Sequence, residues 1–256
     1  MSRKRLSRNW GSEIKMANDV KNKKVKLLVS GGPGSGKTKL ISTAPNPFVL
    51  ATEDGMLTLH KYAIPYIKLD DSMAVYEDFL EILRAAREKR KIDLHDGTVL
   101  DFGKIETLCL DSVWMLNSRL KKEILETGNM RNAQKDLWGV LLDQIKDCIL
   151  QLIDMDYHII VTVGEAVKQD EMDSDEKIIT YNFQGSFRNE IGYLFDFNLY
   201  MVKEARGRNM IYKCFTNDEN NRQAKARIGG LPKEMVDPSF ATIIKYLEEA
   251  TKEEVK

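Results

Sequence analysis

No run in this sequence approaches the roughly 18 consecutive apolar residues that a membrane-spanning helix needs, which excludes a bundle of membrane helices. The N-terminus carries charge but no apolar segment behind it, so a cleaved secretory signal is not expected. Cysteine is scarce. Cys109, Cys148 and Cys214 stand far apart in apolar runs, without the spacing of a metal site or a disulfide framework. Buried, reduced core thiols and a cytoplasmic protein are expected. Net charge is lacking as well, with 39 basic against 39 acidic residues. Internal repeats and low-complexity segments are missing too, which excludes solenoids and fibres. What remains is ordinary globular composition, 43% hydrophobic and 30% charged, in 256 residues that one doubly wound domain fills.

The zero balance conceals an asymmetry. Residues 1 to 26 hold nine basic side chains against Glu13 and Asp19, a balance of +7 that the rest of the chain offsets. A basic arm binds nucleic acid electrostatically; the plain alternative is a solvated, disordered leader. Residues 1–24 are read as that leader and 25–250 as a single domain.

Behind the leader, the apolar runs "VKLLVSG", "PFVLAT", "ETLCLDS" and "HIIVTVG" have strand length and sit between Gly, Pro or acidic residues. Continuous apolar runs of this kind predict parallel strands buried on both faces. Between them, Phe79, Ile82, Leu83 and Ala86 share one helical face, as do Leu137, Leu141, Ile145, Cys148 and Leu152. Strands alternating with amphipathic helices predict a mainly parallel α/β sheet with helices on both faces. After residue 165 the pattern changes. "FNLYMVKEARGRNMIYKCFTND" predicts two strands turning at Gly207, "AKARIGG" a further short strand, and "SFATIIKYLEEATKEE" a closing helix. The sheet is thus expected to carry a C-terminal antiparallel extension.

Gly31-Gly32-Pro33-Gly34-Ser35-Gly36-Lys37-Thr38 fits the phosphate-loop pattern G-x-x-x-x-G-K-[ST], after an apolar strand and before a helix. Its glycines free the backbone N–H groups to curl round a β-phosphate, with the helix start aimed at the anion. Lys37 supplies a mobile charge for the β- and γ-phosphates, and the Thr38 hydroxyl ligates Mg²⁺. ATP and Mg²⁺ are the implied ligands. The strand "ETLCLDS" ends in Asp111, a carboxylate at the sheet edge where such ligands sit, holding Mg²⁺ through water. Ser112 follows it, where AAA+ motors usually place a catalytic Glu. A base must come from elsewhere. Glu53 follows the strand "PFVLAT", and if that strand adjoins the phosphate-loop strand, Glu53 can orient the attacking water; otherwise it is an ordinary acidic loop residue.

A phosphate loop, a strand ending in "LATEDG" and a strand reading "LCLDSVWML" resemble the RecA-type ATPase core. The tail "AKARIGGLPKEMVDPSFATIIKYL" resembles phage-encoded nucleotide-binding proteins, among them shortened RecA-like single-strand-annealing proteins. The resemblance covers roughly residues 25 to 247. It implies a RecA-like P-loop NTPase fold, Glu53 as catalytic residue, and Asp111 and Ser112 at the nucleotide. It also implies single-stranded DNA as partner, assembly into a ring or filament, and a phage single-strand-binding protein as a further partner, with no membrane and with the host cytoplasm as location. In RecA-like filaments, cations of the late strand reach the neighbour's ATP, which makes Lys225 and Arg227, on one face of "AKARIGG", candidates for that role in trans.

Two departures stand beside it. The strand "HIIVTVG" ends in Gly164 and Glu165, where the family has a polar sensor; sensing rests with Glu165 or is absent. The segment from residue 165 to 190, which would face DNA, is acidic, with Glu165, Asp170, Glu171, Asp173, Asp175 and Glu176 against Lys168 and Lys177. Basic residues gather later, from Lys203 to Lys233, with a net +5. Tyr181, Phe183, Phe187 and Arg188 are candidates for stacking on bases, core packing being the plain alternative.

Three functions follow. The leading one is a Mg²⁺-dependent, RecA-like phage ATPase acting on single-stranded DNA in recombination, annealing or replication. The others are a nucleotide-gated binding module with little turnover and a small-molecule P-loop kinase, which would need an arginine-rich lid that the sequence does not show.

Overall fold

The computed structural model describes residues 24–70, 74–94, 97–127, 134–169, 177–183, 185–207, 209–217, 224–227 and 231–253. Residues 1–23 of the leader and the acidic residues 170–176 lie outside the described residues.

Four apolar runs become the expected strands: β1 (Lys26–Gly31), β2 (Pro47–Ala51), β6 (Thr107–Asp111) and β7 (His158–Val163). Between and after them come β3 (Tyr66–Lys68), the small hairpin β4 (Lys91–Asp93) and β5 (Val99–Asp101), and the hairpin β8 (Glu165–Gln169) and β9 (Lys177–Tyr181). The C-terminal part supplies β10 (Phe197–Arg206), β11 (Asn209–Phe215), β12 (Lys225–Ala226) and β13 (Glu234–Val236). The helices are α1 (Lys37–Ile41), α2 (Val75–Arg87), α3 (Val113–Thr127), α4 (Gln134–Ile153) and α5 (Phe240–Glu253).

The central sheet runs β13-β11-β10-β1-β7-β6-β2-β3, with β12 also paired to β10. From β10 to β3 all neighbours are parallel; β11, β12 and β13 are antiparallel. The expected class, a mainly parallel sheet with an antiparallel extension, is what the chain forms. Gly207 supplies the left-handed backbone (φ 62°) at the turn between β10 and β11.

Strand alternation gives two large core clusters, beside a small third one of Tyr200, Phe215 and Ala224. Leu28, Leu50, Leu108, Leu110, Ile159 and Val161 face α2, α3 and α4. Leu27, Val29, Cys109, Ile160, Leu199 and Met201 face α1 and α5. The predicted faces of α2 and α4 are the buried ones, since Phe79, Leu83, Ala86, Leu141, Ile145, Cys148 and Leu152 all belong to the first cluster. Each of the Phe, Leu and Ile side chains among them stabilises by about 1.5–3 kcal/mol against leaving it in water. All three cysteines are buried and free, as expected. Among the described residues no helix is long and apolar enough to cross a membrane.

One reading is corrected here. Tyr181, Phe183 and Phe187 are 3%, 4% and 2% exposed and belong to the first core cluster. Phe183 and Phe187 pack edge to face at 6.2 Å. Rings so buried offer no face to a base, and core packing is their role.

Candidate active site

Because β1, β7, β6 and β2 are parallel, their C-terminal ends bring the phosphate loop, Gly164, Asp111 and Glu53 to one edge of the sheet. The loop between β1 and α1 depends on glycine. Gly31, Gly34 and Gly36 have φ of 145°, 71° and 97°, a region that L side chains avoid. At Gly31 a Cβ would fall deep inside contact distance of the Met201 carbonyl oxygen. Helix α1 is only five residues long, so its summed dipole is small. An anion here must be held mainly by loop N–H groups and by Lys37.

Lys37 folds back over the loop, its Nζ donating to the carbonyl oxygens of Gly31 at 2.7 Å and Gly32 at 2.9 Å. Burial pushes its pKa down, while the carboxylates of Asp111, Glu53 and Glu165, in that order, pull it back up. Three carboxylates therefore act on one ammonium. The Thr38 hydroxyl donates to Asp111 Oδ2 at 2.8 Å, and the Thr162 hydroxyl donates to Asp111 Oδ1. A hydroxyl oxygen beside a carboxylate is the donor set a hard divalent cation takes. The buried hydroxyls of Ser35, in the loop, and Ser112, after Asp111, make no hydrogen bond to a described residue. Glycine cradle, Lys37, Thr38, Asp111 and these spare hydroxyls fit a magnesium-bound triphosphate.

The end of β6 is fixed by Thr52. Its N–H donates to the Asp111 carbonyl, its hydroxyl donates to the Ser112 carbonyl, and it accepts the Ser112 N–H, each at 2.8 Å. Arg119 Nε in turn donates to the Thr52 carbonyl at 2.7 Å.

Glu53 needs a correction. Its strand β2 does not adjoin the phosphate-loop strand, because β7 and β6 lie between them. The condition set for it fails on strand order, yet its half-buried carboxylate still acts on Lys37, because Ala51 pairs with Asp111 in register. Glu165 also acts on Lys37, less strongly than Glu53. A Cβ on Gly32 would lie 2.9 Å from Glu165 Oε1, and Glu165 Oε2 accepts the Tyr200 hydroxyl at 2.5 Å.

Lys225 and Arg227 lie elsewhere. β12 pairs with Phe197 and Asn198, which stand level with Leu27 and Leu28, so both cations are at the end of the sheet opposite the phosphate loop. They share a face, as the spacing predicts. Lys225 Nζ donates to the Gly192 carbonyl at 3.0 Å, and Arg227 donates to the Tyr193 carbonyl and sits 3.8 Å from Asp196.

Sequence reasoning missed Thr52, Thr162, Tyr200 and Tyr212. Thr162 left the clearest signal, a lone polar residue inside the apolar run "HIIVTVG". Tyr212, on β11, lies against Gly36, where a Cβ would be 2.7 Å from ring Cδ1.

The AAA domain family matches residues 23–228 of the chain. No curated protein matches it significantly. Among solved structures, the chain is similar to the flagellar accessory protein FlaH from Methanocaldococcus jannaschii, at 13% identity over 87% of this chain and 92% of that one, with a TM-score of 0.40. It is also similar to a KaiC-like protein from the hyperthermophilic archaeon Pyrococcus horikoshii OT3, at 14% identity over 84% and 89%, with a TM-score of 0.41.

Proposed function

We infer the function from one premise: the chain belongs to the AAA domain family. Its sheet, with β7 between the phosphate-loop strand and the Asp111 strand, is that of a RecA-like P-loop NTPase. On that footing we propose a Mg²⁺-dependent ATPase that acts on single-stranded DNA in a phage recombination, annealing or replication system. Single-strand-binding protein is a natural companion there, and the cytoplasm the place of action.

The observation that carries the ATPase reading is the Thr38–Asp111 contact beside Lys37, with two further carboxylates facing the same ammonium. Lys37 and the loop N–H groups hold the β- and γ-phosphates. Thr38, and Asp111 through water, would hold Mg²⁺, which would supply charge neutralisation to the phosphates. Thr162 and Thr52 keep Asp111 and Ser112 in place. Glu53 accepts a hydrogen bond from the attacking water and aligns it with the γ-phosphorus.

The DNA reading is supported by the β10–β11 hairpin. Met201 is level with Gly31, so residues 202–206 run past the end of β1 by about 16 Å at 3.3 Å per residue. Lys203 and Arg206 are exposed on that projection. Lys213 does not add to it, being held at 3.0 Å by both Glu204 and Glu234. Lys225 and Arg227 are too far along the sheet to serve their own phosphates. If they stabilise γ-phosphoryl charge, they do so for a neighbouring subunit in a ring or filament.

A nucleotide-gated binding module with little turnover is the second reading. It is favoured by Gly164, which offers no side chain at the sensor position, and by Glu165, which Tyr200 already holds. ATP hydrolysis with and without single-stranded DNA tests both. Strong stimulation supports the DNA-dependent ATPase; tight ATP binding with negligible turnover under both conditions replaces it with the gated module. ADP release that depends on an added small acceptor would overturn both in favour of a kinase.

A further inference from the structure

The groups assigned to the γ-phosphate end all lie on one side of the phosphate-loop strand. Asp111 ends β6 and Glu53 follows β2, and in sheet order both of these strands lie on the same side of β1. A triphosphate held at its middle by the loop has two ends. The nucleoside end must leave in the other direction, toward β10 and β11.

On that side the sheet presents a prepared surface. Met201 and Cys214 pair across β10 and β11 and are buried with α1 and α5. Side chains two residues further toward the hairpin tip point to the same face. The next pair is Lys203 with Tyr212, and the one after it Ala205 with Met210, which is 48% exposed. Tyr212 is half-buried, and its ring edge lies directly on the loop. A Cβ at Gly36 would be 2.7 Å from Cδ1 and 3.2 Å from Cε1, so only glycine permits this approach. Lys39 Nζ lies over one face of the ring, 4.4 Å from its centroid, so a stacking partner would take the other face. The backbone behind the ring is clamped: the Tyr212 N–H donates to Asp237 Oδ1 at 3.3 Å, and the Asp237 N–H donates to the Tyr212 carbonyl at 2.6 Å.

We propose that Tyr212, flanked by Lys39 and Lys203, is the nucleoside subsite, its ring stacking on a purine base. The assignment rests on the ATP-binding reading and adds to it a specificity residue that the phosphate loop does not contain. An aromatic ring fixed by its own backbone loses little freedom on binding. A purine offers it a larger π-face than a pyrimidine, and Lys39 and Lys203 are placed for the ribose and α-phosphate.

The test titrates the full chain with Mg²⁺ and ATP, CTP or inorganic tripolyphosphate by calorimetry. Wild type should bind ATP about tenfold more tightly than CTP or tripolyphosphate. Tyr212→Phe should keep that preference. Tyr212→Leu, which retains an apolar contact with Gly36, should weaken ATP about tenfold and leave tripolyphosphate unchanged. Wild type binding ATP no more tightly than tripolyphosphate overturns the proposal without any variant. So does a Tyr212→Leu protein that loses ATP and tripolyphosphate alike, since Tyr212 would then only prop the loop. Wild type binding neither ligand would sink the ATP-binding reading itself, and the subsite with it.

Discussion

Glu53→Gln should separate ATP binding from ATP hydrolysis. Glu53 follows Ala51 by two residues, Ala51 is in register with Asp111, and the Glu53 carboxylate is second only to Asp111 in its pull on Lys37. Gln keeps the shape and a hydrogen-bonding carbonyl but loses the charge and the basic oxygen. If Glu53 orients the water, turnover should fall by roughly 10²–10⁴. That is about 3–5 kcal/mol of barrier, at 1.36 kcal/mol per factor of ten. Binding should move the other way. Removing an anion beside a polyanionic ligand leaves Mg·ATP affinity unchanged or tighter, and Asp111 and Glu165 remain to keep Lys37 charged.

Because Glu53 is partly solvated, the melting temperature should move by no more than about 2 °C. Glu165→Gln is the matched control. The Tyr200 hydroxyl can still donate to the Gln carbonyl, so turnover should fall less than about tenfold. The assay is phosphate release in single turnover, with and without single-stranded DNA, beside equilibrium binding of Mg·ATP. Glu53→Gln hydrolysing at the wild-type rate would refute the assignment and pass the role to Glu165. Affinity and turnover lost by the same factor would make Glu53 a binding group instead.

Arg227→Ala and Lys37→Ala proteins should each be inactive yet recover some hydrolysis when mixed, since one interface then pairs an intact loop with an intact arginine; no recovery despite proven co-assembly would sink the trans role. Deleting residues 1 to 15 removes five cations, so the slope of log K for nucleic acid against log salt should flatten, and an unchanged slope marks the leader as inert. Burial, with Lys24 and Lys26 nearby, pushes the His158 pKa down to about 4, and its Nδ1 accepts the Val25 N–H at 3.1 Å. With the folded value below an unfolded one of about 6.5, its stabilisation is complete above that pH and is lost as pH falls through about 4. The ring is partly exposed, so the full linkage of about 3 kcal/mol is discounted to about 1–2 kcal/mol. His158→Gln should flatten the stability curve across that window in denaturant titrations, and a curve of unchanged slope contradicts it. Gly31→Ala should cost more than about 3 kcal/mol, because its Cβ meets the Met201 carbonyl oxygen and the strand cannot shift without breaking the β1–β10 ladder. Wild-type stability of this variant would show that the strand yields.

The phosphate loop was legible because its chemistry is local: four glycines, Lys37 and Thr38 within eight residues do one job wherever they occur. Asp111 was legible for a related reason, since a carboxylate ending a fully apolar run must lie at a sheet edge. The four apolar strands followed from the length and flanks of continuous apolar runs, and the faces of α2 and α4 from helical periodicity. The role of "YNFQGSFRNEIGY" did not, because its rings are compatible with a base or a core. Burial decides between these, and burial depends on what α4 and the sheet bring to the segment. The basic run after Lys203 shows the same limit. Lys213 is neutralised by Glu204 across the hairpin and by Glu234 on β13, partners that its position in the chain does not reveal.

What the sequence could not show was strand order and register, and those set the chemistry of the site. Glu53 was assigned on the assumption that β2 adjoins β1, whereas two strands separate them. The side chain reaches Lys37 all the same because β2 and β6 end together, Ala51 against Asp111. Tyr212 depends on register even more sharply. It faces α1 because Cys214 pairs with Met201. A slip of one residue would turn Tyr212 to the opposite face and offer Ile211 or Lys213 to Gly36. The glycine at position 36 is then explained twice, by a backbone with φ of 97° and by a ring that leaves no room for a Cβ. Only the first reason is visible in the phosphate-loop pattern. The second appears when residues 36 and 212 meet, and it is this contact that gives a general phosphate holder a means to distinguish one nucleoside from another.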